Sequence, residues 1–437
     1  MGFSDSTRDP QSTSIRRVTV SKLFGRYDYD LEFDSRLAIL YGDNGTGKTT
    51  ILRMIHNLLS PGPGGGHKTA VAKTIFREFS VYFSNGVKVD ARRKNPNAGN
   101  FELLLTLPKG STRRAAFIID EDEAIPNTGP HSDAQDDLIK EISRAIHLRS
   151  YYLSDDRILD SDFIDKRRTV REPWRFRFRP SIGEDSIRES DDSPQVSSAI
   201  YRATGWARQQ ALQGASDGSV STNTIYADVV KHLAEMPRIA TAEGESSTRQ
   251  HLLTMIERTG QRSRDQSRFG LLPAVNTDDL LQYVPLVRDE DFPLVSGILK
   301  PYLGGTDARL DALESTHRTL SFFVDTLNRF LKGKYVMFDI QGGLRIYTDE
   351  GDALDEGSLS SGESQLLTLF CNILSARESP AIFVIDEPEL SLNVKWQRAL
   401  VDALLGCARD SEIQLILASH SIELLTAHRE QVVGLKV

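Results

Sequence analysis

Two stretches of the chain carry residues whose types and spacing suit phosphate chemistry. Gly42-Asp43-Asn44-Gly45-Thr46-Gly47-Lys48-Thr49 fits G-x-x-x-x-G-K-[ST] in full. Glycines let a backbone wrap tightly enough for several N–H groups to face phosphate oxygens, and a helix starting at Lys48 adds its positive end. Lys48 would then reach the β- and γ-phosphates of a nucleotide, with the Thr49 hydroxyl on Mg2+. Far along the chain, Ala381-Ile382-Phe383-Val384-Ile385-Asp386-Glu387 is a buried-strand run ending in two carboxylates. Beside a phosphate loop, Asp386 fits a Mg2+ ligand and Glu387 a group that polarises an attacking water.

Between these stretches, Leu359-Ser360-Ser361-Gly362-Glu363-Ser364-Gln365 precedes the helical pattern LLTLFCNIL. A serine and a glycine at a helix start offer N–H groups and a positive dipole to an anion. The same residues fit a capping box, Ser360 and Glu363 standing in the Ser-x-x-Glu spacing. The two readings are compatible.

The elements that must position these residues are visible in the apolar pattern. IRRVTVSKLF, YDYDLEF and the run Leu37 to Tyr41 predict a β-rich start. KTTILRMIHNLL spaces Ile51, Leu52, Ile55, Leu58 and Leu59 for a helix, so strand, glycine-rich turn and helix follow one another directly. SPGPGGGHK, residues 60–68, has no strand feeding it and reads as a surface linker rather than a second phosphate loop. FREFSVYFSNGVKVDAR alternates around Asn85-Gly86 and predicts a hairpin, with FELLLTL a further strand.

From about 160 to 335, polar loops separate helical patterns such as TIYADVVKHLAEM, STRQHLLTMIERT and a stretch ending in LSFFVDTLNRFLKGK. This predicts a helical lobe inserted into an α/β one, which chain entropy tolerates at about 0.6 kcal/mol per doubling of loop length. The α/β pattern returns through KYVMFDI, AIFVID and IQLILAS. The expected division is an N-terminal half over 1–157, the inserted lobe over 158–335 and a C-terminal half over 336–437.

At 437 residues the chain is long enough for two lobes. With 39% hydrophobic and 26% charged residues, and no apolar run near the roughly 20 residues that span a bilayer, a membrane-embedded subunit is excluded. The polar start MGFSDSTRDPQSTS lacks the features of a signal peptide, so a cytoplasmic protein is expected. Cys371 and Cys407 each lie in an apolar helical stretch without a metal-spaced partner and read as buried thiols.

The net charge of −8 argues against a chain that coats nucleic acid everywhere but allows a local basic groove. Lys166, Arg167, Arg168, Arg171, Arg175, Arg177 and Arg179 form such a candidate strip. In a strand, Arg175, Arg177 and Arg179 would share one face, opposite Trp174, Phe176 and Phe178. A solvated amphipathic strand and a groove for nucleic-acid phosphate or an acidic partner both fit it.

In order, GDNGTGKTT, LSSGESQ, VIDEPELSL and ILASHS resemble the Walker A, signature, Walker B with D-loop, and H-loop elements of the ABC ATPases. The wording is closer to the RecF, SMC and OLD-type soluble ATPases than to transporters. This resemblance implies an ABC ATPase head, a mixed β-sheet with a P-loop core, carrying an inserted helical lobe. Asn44, Gly45, Thr46, Gly47, Lys48, Thr49 and Thr50 would hold ATP, with Mg2+ on Thr49 and Asp386. Ser360, Gly362 and Glu363 would serve the γ-phosphate of an opposite copy in a head-to-tail dimer. His420 would sense that phosphate, and Ser391, Leu392 and Asn393 would occupy the D-loop, with Asn393 where relatives often carry His.

The Q-loop is the departure from the pattern. Tyr151-Tyr152-Leu153-Ser154-Asp155-Asp156-Arg157 holds no glutamine, leaving Ser154 or Asp155 as substitutes near Mg2+. Tyr27 and Tyr29 are candidates for adenine stacking, or simply packed. OLD-type proteins carry a nuclease domain after the H-loop, whereas this sequence ends one short strand later. That layout resembles the ATPase subunits of bacterial anti-phage systems such as PARIS and Septu. It implies an ATPase gating a separate effector, a nuclease partner; the alternative is a RecF- or SMC-like DNA-binding repair factor.

Overall fold

The computed structural model describes residues 13–61, 66–126, 132–154, 159–161, 195–214, 245–390 and 392–435. They fall into two compact units, Met1–Glu189 with Ala376–Val437, and Ser190–Ser375.

The first unit holds two sheets. One is antiparallel, in the order Tyr27–Glu32, Ile15–Leu23, Glu78–Phe83, Lys88–Arg92, Phe101–Thr106, Thr112–Phe117. Its central hairpin is the one predicted around Asn85-Gly86: Phe83 and Val87 close a three-residue loop, and the Asn85 side chain accepts from the Val87 N–H at 3.1 Å. The other sheet runs Val432–Gly434, Leu37–Tyr41, Ile413–Ala418, Ala381–Asp386, Arg149–Leu153, Leu159–Ser161, and every pairing is parallel except the last. Its central strands Ala381–Asp386 and Ile413–Ala418 are almost wholly apolar because both faces are buried.

The helix Lys48–Leu59 packs over this parallel sheet. Ile51, Leu52, Met54, Ile55, Leu58 and Leu59 join one core with Ala38, Leu40, Val384 and Ile416 below and Val18, Val81 and Leu103 of the antiparallel sheet. The Gln414 side chain clips the sheets together, donating to the carbonyls of Ile15 and Asp34 and accepting the Ile15 N–H, each at 2.8 Å.

The expected linker over 60–68 is shorter than its composition suggests, since a helix, His67–Lys73, already includes its last two residues. Lys68 is 1% exposed and donates to the carbonyls of Asn57, Leu58 and Ser60. It supplies partners for the C-terminal carbonyls of the Lys48–Leu59 helix, which have none within the helix.

In the second unit, helices cover 195–214, Glu245–Ser267, Asp278–Tyr283 and Phe292–Phe330; the pattern STRQHLLTMIERT lies in the second of these and LSFFVDTLNRF in the last. TIYADVVKHLAEM lies outside the described residues. The return of the α/β pattern at KYVMFDI takes an unexpected form. Lys334–Asp339 pairs with its own neighbour Gly343–Thr348, then Ala353–Leu354, in a separate three-stranded sheet. Asn328 fastens it to the long helix by donating to the Val336 carbonyl and accepting the Val336 N–H. The signature helix Ser361–Ser375 packs on the same long helix, with Phe330 against Phe370. The second compact unit therefore runs on to Ser375. Cys371 and Cys407 are buried and neither is in a disulfide, and burial pushes the Cys407 thiol up to about 12.

Candidate nucleotide site

Strand register brings the motifs to one edge of the parallel sheet. Leu40 pairs with Ala418, Ala418 with Asp386, and Ile385 with Leu153, so four strands end level. The residues that leave them, Gly42 onward, Ser419-His420, Glu387 and Ser154, emerge together at the carboxyl end, where open α/β sheets bind ligands. Asp155, Asp156 and Arg157 lie outside the described residues, as does the whole basic strip from Lys166 to Arg179.

The phosphate loop has the shape its glycines predict. Gly45 and Gly47 have φ of 80° and 96°, in the left-handed region that side chains with a Cβ avoid. At Gly47 a Cβ would also lie 2.7 Å from Leu23 Cδ2. Gly47 caps the following helix without a side-chain hydrogen bond, so the first N–H groups of the helix face the loop without a side-chain cap. Asn44 and Gly45 are exposed, Thr46 is buried, and Thr49 and Thr50 are half-buried at the helix start.

Lys48 is 6% exposed, and its ammonium donates to the carbonyls of Gly42 at 2.8 Å and Asp43 at 3.1 Å. Burial lowers its pKa, opposed by the attraction of Glu387, Asp386, Asp43 and Glu389. A cation thus faces a cluster of carboxylates across the loop. Asp386 is buried at the strand end. Glu387 follows half-buried, at a φ of 46° that costs a non-glycine residue roughly 1–2 kcal/mol. Such strain in a strand-end carboxylate is common at functional sites. Carboxylate and hydroxyl oxygens suit Mg2+, which keeps few protein ligands and takes phosphate oxygens, so Asp386 and Thr49 form a donor set that fits it.

The structure ties down Tyr29 rather than leaving it for a ligand to stack upon. It is 6% exposed, and its hydroxyl donates to the Thr46 carbonyl at 2.7 Å. Tyr27 stacks on Tyr29 and carries the Arg26 guanidinium 4.3 Å from its ring centre.

His420 is exposed at the sheet edge. Its position depends on a residue to which no role was assigned from the sequence. One oxygen of the buried Glu389 carboxylate accepts from the Ser419 hydroxyl at 2.7 Å, the His420 N–H at 2.8 Å and the Ser421 N–H at 3.1 Å. The signal was present in the acidic residue two places after Glu387, but its partners lie about 30 residues away. Ser391 lies outside the described residues. Leu392 is buried, and Asn393 caps the next helix, Val394–Cys407, by accepting from the Trp396 N–H at 3.0 Å. Asn393 is thus a helix N-cap, a role that suits its residue type.

In the second unit, the signature residues form the capping box that their spacing predicts. Glu363 accepts from the Ser360 N–H at 2.7 Å, and the Glu363 N–H reaches Ser360 Oγ at 3.4 Å, a reciprocal capping box. Lys334 donates to the same Glu363 oxygen at 2.9 Å. Burial would raise the Glu363 pKa, but the Ser360 N–H and Lys334 outweigh it and hold the carboxyl below its usual value. Ser360 is exposed and Gly362 is buried in the first turn.

A phosphate loop, a strand-end Asp-Glu pair and a histidine just past the strand between them, all on one edge, define an ATP-binding protein of the ABC ATPase type. The chain belongs to the AAA_21 family, described as "AAA domain, putative AbiEii toxin, Type IV TA system", whose model matches residues 37–426. It is also similar to the zinc import ATP-binding protein ZnuC of Vibrio cholerae serotype O1, 30% identical over 120 residues. That match covers 25% of this chain and 42% of the relative, so the chain spans less than half of that protein's length. Among solved structures, it is similar to the Smc head domain of Pyrococcus furiosus bound to the C-terminal domain of ScpA (11% identity, 97% of this chain, 95% of the other, TM-score 0.41). The Smc head of Pyrococcus yayanosii is similar at 14% identity, the same coverages and a TM-score of 0.40. Among the described residues no helix is long and apolar enough to cross a membrane.

Proposed function

We propose that the protein hydrolyses ATP with Mg2+ in a site completed by a second copy, and that the ATP-closed state gates a separate effector. The observation that carries this reading is the level ending of four parallel strands, which gathers the phosphate loop, Asp386-Glu387 and His420 at one edge. Lys48 and the loop N–H groups hold the β- and γ-phosphates, and Asp386 and Thr49 hold Mg2+. Glu387 polarises the water, and His420 reads the γ-phosphate. Ser360 and Gly362 of the opposite copy supply the N–H end of the signature helix, an anion-binding terminus in its own right. The Glu363 carboxylate keeps that terminus in shape through the capping box rather than facing phosphate itself.

The effector reading takes up the resemblance to anti-phage ATPase subunits. It is supported by a family description that names a toxin of a toxin–antitoxin system. A nuclease partner in bacterial defence, in the cytoplasm, is the form we propose. A second reading, an ATP-dependent DNA clamp, is favoured by Arg175, Arg177 and Arg179 in the sequence. It predicts salt-dependent duplex binding that requires ATP and is lost when those three arginines become glutamate.

The direct test measures ATP binding, turnover and mass in solution. Lys48→Ala should abolish binding. Glu387→Gln should bind ATP, lose turnover by about 10²–10⁴-fold and accumulate a closed dimer. Ser360→Arg should stop hydrolysis while sparing binding to a single copy. Parent-like turnover in the Gln variant would remove Glu387 from its role.

A further inference from the structure

Resting on the ATPase reading above, we infer that Glu389 is a positioning residue for His420 and that, with Gln397, it locks the H-loop to the D-loop. The basis is a closed ring of hydrogen bonds inside the first unit. The side chain of Glu389 is 9% exposed, and one of its oxygens gathers the Ser419 hydroxyl and the main-chain N–H groups of His420 and Ser421. From the other side, the Ser421 hydroxyl donates to Gln397 Oε1 at 2.9 Å. The Gln397 amide closes the ring by donating to the carbonyls of Leu392 at 2.9 Å and Glu389 at 3.3 Å.

Three donors on one carboxylate oxygen fix the backbone of the H-loop at a charge-assisted acceptor, the strong class of hydrogen bond. His420 itself is exposed, so its aim toward a phosphate is set by the loop that bears it. The anchor lies on the D-loop side, two residues past Glu387. A shift of that segment on contact with a second copy is therefore passed to the histidine through the carboxylate. This gives Glu389 an indirect role, because the bonds it accepts come from the H-loop that carries the sensor.

The test uses the full-length protein with two readouts. Amide hydrogen exchange over 413–424, without nucleotide, should show that Glu389→Leu removes protection at His420 and Ser421. Glu389→Gln, which keeps an acceptor oxygen, should retain it. In ATP turnover, Glu389→Leu should lower kcat by up to about 10²-fold with little change in KM, as expected for a misaimed group. The Gln variant should recover most of kcat, and Glu389→Leu combined with His420→Ala should fall no lower than His420→Ala alone. Gln397→Ala, a milder opening of the same ring, should lower kcat a few-fold and covers the case in which Glu389→Leu does not fold. Unchanged exchange in the Leu variant, multiplicative losses in the double variant, or parent-like kinetics in Gln397→Ala would overturn the proposal. A parent without ATP turnover would instead overturn the ATPase reading, and the exchange comparison would still decide whether Glu389 holds the H-loop.

Discussion

The Tyr29 hydroxyl donates to the Thr46 carbonyl at 2.7 Å, fastening the phosphate loop to the neighbouring antiparallel sheet. The bond is buried and joins residues 17 apart, so it restrains a loop whose glycines would otherwise leave it free to move. Tyr29→Phe keeps the ring and removes only the donor. A buried carbonyl left without its partner costs about 1–3 kcal/mol. We therefore expect ATP affinity to weaken by about five- to tenfold with the fold intact, measured by nucleotide titration beside circular dichroism.

Gly47 offers a sharper test of the same loop. Its φ of 96° is strained for any residue with a Cβ, and the added atom would sit 2.7 Å from Leu23 Cδ2. Gly47→Ala should cost about 1–2 kcal/mol from the backbone alone and move the loop further to relieve the contact. ATP binding should fall by at least tenfold, more than in Tyr29→Phe, when the two variants are titrated side by side.

These two residues also mark how far the sequence could be read. The strand, loop and helix from Leu37 to Leu59 were legible because apolar period, glycine spacing and helix start all agree locally. The Ser360–Glu363 capping box was legible for the same reason, as both partners lie within one turn. What stayed hidden depends on partners distant in sequence. Glu389 looks like one acid among several in DEPELSL until the fold brings residues 419–421 to it. Lys68 sits in a glycine-rich stretch that reads as linker, and only the end of the Lys48–Leu59 helix reveals why it is buried. Lys334–Asp339 has a plain strand pattern, but alternation does not say which sheet a strand joins, and a nearby partner won.

The charge state of Glu363 makes the signature helix sensitive to acid. Its carboxyl is held below the ordinary glutamate value of 4.5, so its contribution is fully present above that pH and is lost as pH falls through the lowered value. Protonation weakens the bonds from the Ser360 N–H and Lys334. Glu363→Gln should therefore be less stable than the parent by about 1 kcal/mol near pH 7, in line with loss of a cap. Denaturant unfolding of both proteins from pH 7 down to about pH 3 should show this difference shrinking below 4.5.

Lys68 carries the largest expected effect on stability. Its ammonium is buried and donates to three carbonyls at the end of the helix that begins with the phosphate loop, at 2.7, 2.9 and 2.9 Å. Lys68→Met preserves the length and apolar stem of the side chain while removing all three donors. Each carbonyl then loses a charge-assisted partner away from water, and even at the low end of the usual cost the sum is about 3 kcal/mol. Urea unfolding should show a lower midpoint with an unchanged slope, the mark of lost stability rather than altered compactness. ATP affinity should change little while the protein stays folded, because the substitution lies at the far end of the helix from Lys48. A midpoint equal to the parent's would show that this buried cation is not what holds the helix end.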